Sequence, residues 1–295
     1  RWIPHPVVII GKVISFLEKI LRKKGLSPRQ LYLRGILLTI SVLLFTLGTT
    51  LLILYLSSKI HPYLYLAVYV WLLASTFAVK SLGKAGLDIY RALQNNDITL
   101  ARRKAGEIVG RDTFNLQEDE VARAAVETVA ENTVDGVTAP IIYALIGGLP
   151  LAMLYKAVNT LDSMVGYRDE KYEYFGRASA RLDDLANYIP ARLTAALMLA
   201  ASAVLRLNTK RAWRVLKTDA RNHPSPNSGY TEALAAGSLG IRLGGVNYYR
   251  GTASKRPYLG IKTREINSED ILNTLKLMYL TAYLTLFLGI LFKIL

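Results

Sequence analysis

The sequence contains no cysteine, which rules out a disulfide and a thiolate metal site. Histidine occurs only three times in 295 residues. There is no G-x-x-x-x-G-K-S/T phosphate loop, no H-E-x-x-H, no Rossmann fingerprint and no Ser-His-Asp context. Internal repeats, low-complexity tracts and a signal-peptide pattern are also missing. Acidic side chains are in the minority, 22 against 37 basic, for a net charge of +15. The chain starts at Arg1 rather than Met, so an upstream segment is expected to have been removed or left out.

Apolar residues are abundant: 52% of the chain is hydrophobic, and its mean hydropathy is positive. Five uncharged stretches stand out, at residues 35–58, 60–79, 136–155, 193–205 and 277–292. A helix needs about 20 apolar residues to cross a bilayer. The first two stretches meet that length. The third does too, but carries Gly147, Gly148 and Pro150. The last two are marginal, with a buried helix as the competing reading. The expected fold class is therefore all-α: a polytopic integral membrane protein with about four to five apolar helical segments plus amphipathic cytoplasmic helices.

The positive excess sits in two places. Residues 1–34 hold eight basic side chains and one acidic; residues 206–276 hold thirteen and five. A basic segment alone allows nucleic-acid binding. Beside membrane spans, however, Lys and Arg collect on the cytoplasmic side, so a lipid bilayer and no nucleic acid is the expected partnership. The localisation is the cell membrane, multi-pass. If both basic regions are cytoplasmic, the crossings between them are even in number. Either all four intervening segments cross, or 136–155 turns back at Gly147-Gly148-Leu149-Pro150 while 189–205 stays half-buried. One membrane-embedded domain over 1–295 is expected: a basic interfacial segment (1–34), a hairpin (35–79) turned at Ser57-Ser58-Lys59, an acidic-motif core (80–205), a basic loop (206–276) and an apolar C-terminal helix (277–295). Val7 to Leu21 is amphipathic and suits a membrane interface. Helices are expected over 82–94, 100–109, 118–134 and 209–220, and a Pro- and Gly-rich loop over 223–260.

Three acidic sets adjoin apolar segments. Glu127, Glu131 and Asp135 are spaced i, i+4, i+8, which places them on one helix face, where like charges repel unless a cation intervenes. Arg123 offers partial compensation, and a solvated acidic face is the plain alternative. Asp162 follows Asn159 in a largely apolar helix, and an ionisable group at membrane depth suggests function. Asp183 and Asp184 precede Asn187; paired carboxylates suit Mg²⁺, a hard cation that takes oxygen ligands and shares them with phosphate. The alternative there is a local salt bridge to Arg177 or Arg181. Two loops could hold phosphate: Gly110-Arg111-Asp112-Thr113, and the five glycines of 237–251 with Arg242 and Arg250. His223-Pro224-Ser225-Pro226-Asn227 is a rigid polar turn. Chemistry alone points to a membrane enzyme that handles a phosphorylated substrate with Mg²⁺.

Long blocks of the chain carry a resemblance. RAAVETVAENTVDGV (123–137), LYKAVNTLDSMVGYRDEKYEYFGRASARLDDLANYIPARLTA (154–195) and RNHPSPNSGY (221–230) resemble the adenosylcobinamide-phosphate synthase family of cobalamin biosynthesis, CobD/CbiB. His5-Pro6, the 110–113 tetrad, LGIRLGGVNYYRG (239–251) and RPYLG (256–260) add to it. The resemblance implies a ligase that joins adenosylcobyric acid, the corrinoid substrate, to aminopropanol or aminopropanol phosphate, using ATP and Mg²⁺. Amide formation from a carboxylate is uphill, so an acyl phosphate is the natural intermediate. Candidate catalytic acids are Glu127, Glu131, Asp135, Asp162, Asp183 and Asp184, with Glu131, Asp162 and Asp184 expected to hold one Mg²⁺. Arg111, Asp112, Thr113, Asn132, Lys156, Asn159, Arg168, Arg177, Arg181, Asn187, His223, Ser225 and Asn227 are candidates for substrate or phosphate binding. An intramembrane Mg²⁺-dependent prenyl or phosphoalcohol transferase, or a small transporter, are the rival readings.

Overall fold

The computed structural model describes residues 4–167, 169–249 and 251–294. Helix α1 (Pro6–Leu21) starts where Pro6 presets the first turn and His5 Nδ1 accepts from the Val7 amide. Helix α2 (Pro28–Ile60) starts at a capping box: Ser27 Oγ accepts from the Gln30 amide and Gln30 Oε1 accepts from the Ser27 amide. It runs straight through Ser57-Ser58-Lys59, which had been expected to turn. The three polar residues cannot break a helix whose amides stay paired, and the chain reverses instead at His61-Pro62, where Pro62 opens α3 (Pro62–Thr76).

The remaining helices are α4 (Val79–Gln94), α5 (Ile98–Gly106), α6 (Glu118–Asn132), α7 (Ala139–Val165), α8 (Arg177–Val204), α9 (Thr209–Asp219), α10 (Ser228–Leu239) and α11 (Ser268–Ile294). Asp97 caps α5 and Asn208 caps α9 through side-chain oxygens. Between α6 and α7 lies a π-helical turn, Thr133–Thr138. Helix α7 is interrupted at Gly147 and Gly148, the latter at φ +62° and ψ −157°, a conformation essentially reserved for glycine. The amide released at Leu149 is taken by the Tyr69 hydroxyl at 3.0 Å.

The chain separates into two compact units. One comprises Arg1–Phe77 and Ala139–Asn187, the other Ala78–Thr138 and Tyr188–Leu295. In the first, Ile10 and Ile14 of α1 pack with Leu38 and Val42 of α2, Leu72 of α3, Leu149, Met153 and Leu161 of α7, and Phe175. In the second, α10 is buried along its whole length, and small side chains such as Ala130, Ala201, Ala212 and Ala235 let the helices approach closely around Met198, Leu234 and Leu277. The region expected to be a loop also forms an antiparallel hairpin, β1 (Leu243–Tyr249) and β2 (Thr252–Leu259). Its glycines and Pro257 had masked the Val-Asn-Tyr-Tyr strand pattern.

Among the described residues, three helical runs are long and apolar enough to cross a membrane: Pro28–Ile60, Glu118–Val165 and Ser268–Ile294. A fourth results if α3 and α4, bent by 40°, form one span. Many of their large apolar side chains face outward, among them Leu44, Leu52, Leu66, Phe287 and Phe292. Water would not tolerate that stripe; lipid would. The protein is a multi-pass membrane protein. The stretch at 193–205 lies in α8, which is not among the helices long and apolar enough to cross.

Candidate functional site

Two polar networks meet on α6 in the second unit. The first is built on Glu127. Its Oε2 lies 2.8 Å from Arg111 Nη2, and its Oε1 accepts from the Gly244 amide at 2.8 Å and lies 3.4 Å from Arg123 Nη1. Arg111 also donates to Asn247 Oδ1, and Arg123 to the carbonyls of Gly244 and Val246. Gly244 sits at φ +83°, and a Cβ there would come within 2.2 Å of the Pro257 carbonyl oxygen, so only glycine can turn this amide toward the carboxylate. Burial pushes the Arg111 pKa down, with Glu127 opposing it. The hairpin is held from the same side: the Asp112 amide donates to the Tyr248 carbonyl, and the Gly251 amide to Asp112 Oδ2.

The second network joins Glu131 to the turn before α10. Ser228 Oγ donates to Glu131 Oε1 at 2.9 Å and stands 3.1 Å from Ser225 Oγ. The Ser225 amide donates to His223 Nδ1 at 3.0 Å. An amide can only donate, so the neutral ring carries its proton on Nε2. That atom lies 3.5 Å from Glu232 Oε1, and neither has a hydrogen bond. Burial raises the Glu232 pKa well above the usual carboxylate value, reinforced by Glu131 and Glu127. Burial also lowers that of His223. Beside the turn, Asn227 Oδ1 lies 3.4 Å from Arg192 Nη1, and the Arg192 guanidinium stacks on Tyr188 and Tyr230.

The acids of the first unit stand on α7 and α8. Lys156, Asn159 and Asp162, spaced by three, share one face of α7 and are half-buried. Asp183 Oδ2 accepts from Asn187 Nδ2 at 3.0 Å, and Asn187 Oδ1 accepts from the Tyr155 hydroxyl at 2.8 Å. Asp183 is buried and Asp184 half-buried, because neighbours on a helix point in different directions. Arg177 and Arg181 are exposed.

A family model described as "CobD/Cbib protein" matches residues 1–278. The chain belongs to the CobD/Cbib family. It is 47% identical over 287 residues, 97% of this chain and 90% of the relative, to the cobalamin biosynthesis protein CbiB of Salmonella arizonae. It is 44% identical over 289 residues (98% and 91%) to the cobalamin biosynthesis protein CobD of Clostridium perfringens. With CobD of Geobacter metallireducens the identity is 48% over 279 residues, 95% of this chain and 87% of the relative. No solved structure matches.

In this CobD/Cbib chain, of the three acids expected on one face, Glu127 and Glu131 stand on α6 and Asp135 in the π turn that follows it. Glu127 needs no metal to offset its charge, since Arg111 and Arg123 do so. Of the sequence-predicted residues, Arg111, Asp112, Glu127, Glu131, Asn132, Thr113, His223, Ser225 and Asn227 fall in the second unit; Lys156, Asn159, Asp162, Arg177, Arg181, Asp183, Asp184 and Asn187 fall in the first. Arg168 lies outside the described residues. Asn132 caps back to the Thr128 carbonyl at 2.9 Å, and Thr113 is buried. Sequence reasoning missed Glu232 and Asn247. The signal for Glu232 was a lone acid inside the small-residue run GYTEALAAGSL (229–239). Carboxylate and hydroxyl oxygens at Glu131, Ser225 and Ser228 are donors that suit Mg²⁺. Among the described residues no three His, Asp or Glu side chains are gathered into a ready metal site, and Mg²⁺ ordinarily completes its shell with water and substrate phosphate.

Proposed function

We propose that the protein is a membrane enzyme of cobalamin biosynthesis that joins adenosylcobyric acid to aminopropanol or aminopropanol phosphate in an ATP-dependent amide bond. Family membership supports the pathway. The observation that carries the chemistry is the Glu131–Ser228–Ser225–His223 chain beside buried Glu232, which unites two of the sequence blocks. The substrate carboxylate attacks the γ-phosphorus of ATP, giving an acyl phosphate and ADP. The amine then attacks the acyl carbon and phosphate leaves. Its ammonium proton must first go to a base, a role that a site carboxylate can take only in its ionised form. Arg111 and Arg123 fix α6 to the hairpin, so Glu131 is presented from a rigid element. Bound Mg²⁺, held by Glu131 beside the Ser225 and Ser228 hydroxyls, would neutralise charge on the transferring phosphoryl oxygens.

Purified protein incubated with adenosylcobyric acid, aminopropanol phosphate, ATP and Mg²⁺ should release ADP and form the amide. Turnover of a prenyl diphosphate instead, with none of the corrinoid, would overturn the reading, as would solute uptake into vesicles without chemistry.

A further inference from the structure

A cavity of about 460 Å³ opens between the loop after α5 and strand β1, lined by Asp112, Phe114, Leu116, Glu120, Asn247 and Tyr248 among others. Two features set it apart. Phe114 is 82% exposed and Tyr248 51%, so two aromatic faces stand in solvent beside one opening. Two exposed aromatics side by side at one cavity form an apolar patch of the kind that marks a ligand groove. The second is Asn247, 3% exposed, whose Nδ2 has no hydrogen-bond partner. Its orientation is fixed by chemistry: the Arg111 guanidinium can only donate, so Asn247 must turn Oδ1 toward it and leave the NH₂ unmatched. A buried donor without an acceptor costs about 1–3 kcal/mol, a cost that a bound acceptor would remove.

The lining also selects the ligand. Asp112 and Glu120 place negative charge at the cavity, which repels phosphate and favours neutral groups with N–H donors. A ligand that fits is flat, apolar on its faces and edged with carboxamides. Its ring would rest on Phe114 and Tyr248. A carboxamide oxygen would accept from Asn247, and a carboxamide N–H would approach the acids. A corrin ring has this form, and only one edge of it fits in 460 Å³. Resting on the function proposed above, we infer that this cavity is where the edge of the corrinoid substrate docks, and that Phe114 and Asn247 are binding residues rather than catalytic ones.

The test is equilibrium dialysis of adenosylcobyric acid, read by its visible absorbance, against the detergent-solubilised full chain. Phe114→Ala and Asn247→Asp should each raise Kd roughly tenfold, about 1.4 kcal/mol. Asn247→Asp keeps shape and the bond to Arg111 while removing the donor; Phe114 is exposed, so its variant is not expected to unfold. Trp213→Ala, an exposed aromatic on α9, should bind as the wild type does, and millimolar inorganic phosphate should not displace the corrinoid. In turnover, Phe114→Ala should raise KM with kcat unchanged. Wild-type binding with both variants within twofold would overturn the docking site alone, as would displacement by phosphate. No binding by the wild type would overturn the proposed function together with the site.

Discussion

His223 Nε2 faces Glu232 Oε1 across 3.5 Å with neither atom hydrogen-bonded. Burial favours the uncharged form of each, an acid beside a neutral imidazole. A carboxyl whose folded pKa is raised contributes stability that is fully present below its unfolded value of 4.5 and lost as pH rises through the folded pKa. A histidine whose folded pKa is lowered contributes stability present above its unfolded value of 6.5 and lost as pH falls. Glu232→Gln keeps the neutral shape at every pH. Its melting temperature should therefore gain on that of the wild type as pH rises from about 5 toward 8. Parallel melting curves across that range would show that Glu232 ionises as freely as in water.

Glu127 and Arg111 form a buried pair. Glu127→Gln removes the negative charge and strands the guanidinium, which should cost about 3–5 kcal/mol. The double change Glu127→Leu with Arg111→Met removes both charges and should recover most of that loss. Chemical denaturation in detergent checks both; a single variant within about 0.5 kcal/mol of wild type would mean that water reaches the pair.

Asp162→Asn removes charge while keeping volume. Turnover should fall by at least two orders of magnitude, since each 1.36 kcal/mol of lost stabilisation is about tenfold in rate, while thermal stability stays equal or rises. Glu170→Gln, an exposed acid beyond the end of α7, should be nearly silent. Near-normal rates for Asp162→Asn at saturating Mg²⁺, or simple unfolding, would return Asp162 to a packing role.

Because the chain has no cysteine, single introduced thiols report topology cleanly. Lys255→Cys, exposed on β2, should resist an impermeant thiol reagent on intact cells and react after lysis. Labelling from outside would reverse the orientation drawn from the positive charge. Glu173→Cys is the matching probe for residues 156–188 and is also expected to be protected. Tyr172 would serve poorly, being buried with its hydroxyl on Glu18.

The apolar helices were legible because their signal is local: an uncharged run of the right length needs no partner to be recognised. The same held for α1, α5 and α9, whose amphipathic faces or caps lie within the segment. The hairpin at 243–259 was not legible, since its glycines serve a contact 117 residues away, the Gly244 amide on Glu127. The site divided likewise. The acids and the His223 turn drew notice by residue type, but the role of Arg111 depends on distant partners, Glu127 and Asn247, that no spacing rule connects. Glu232 was overlooked because it is a single charge in a helix that otherwise looks like ordinary packing.

The interruption at Gly147 and Gly148 sets a limit on reach. The piece of α7 before it, from Ala139, has eight residues and measures about 12 Å; the 17-residue piece after it measures about 25 Å. The piece after the break falls short of a hydrocarbon layer of about 30 Å. Insertion machinery that weighs hydrophobicity over a window would read one continuous segment there, whereas the folded chain is broken within it. The gap between those two accountings is closed by a single phenol, Tyr69, without which the Leu149 amide would have no partner in a medium that supplies none.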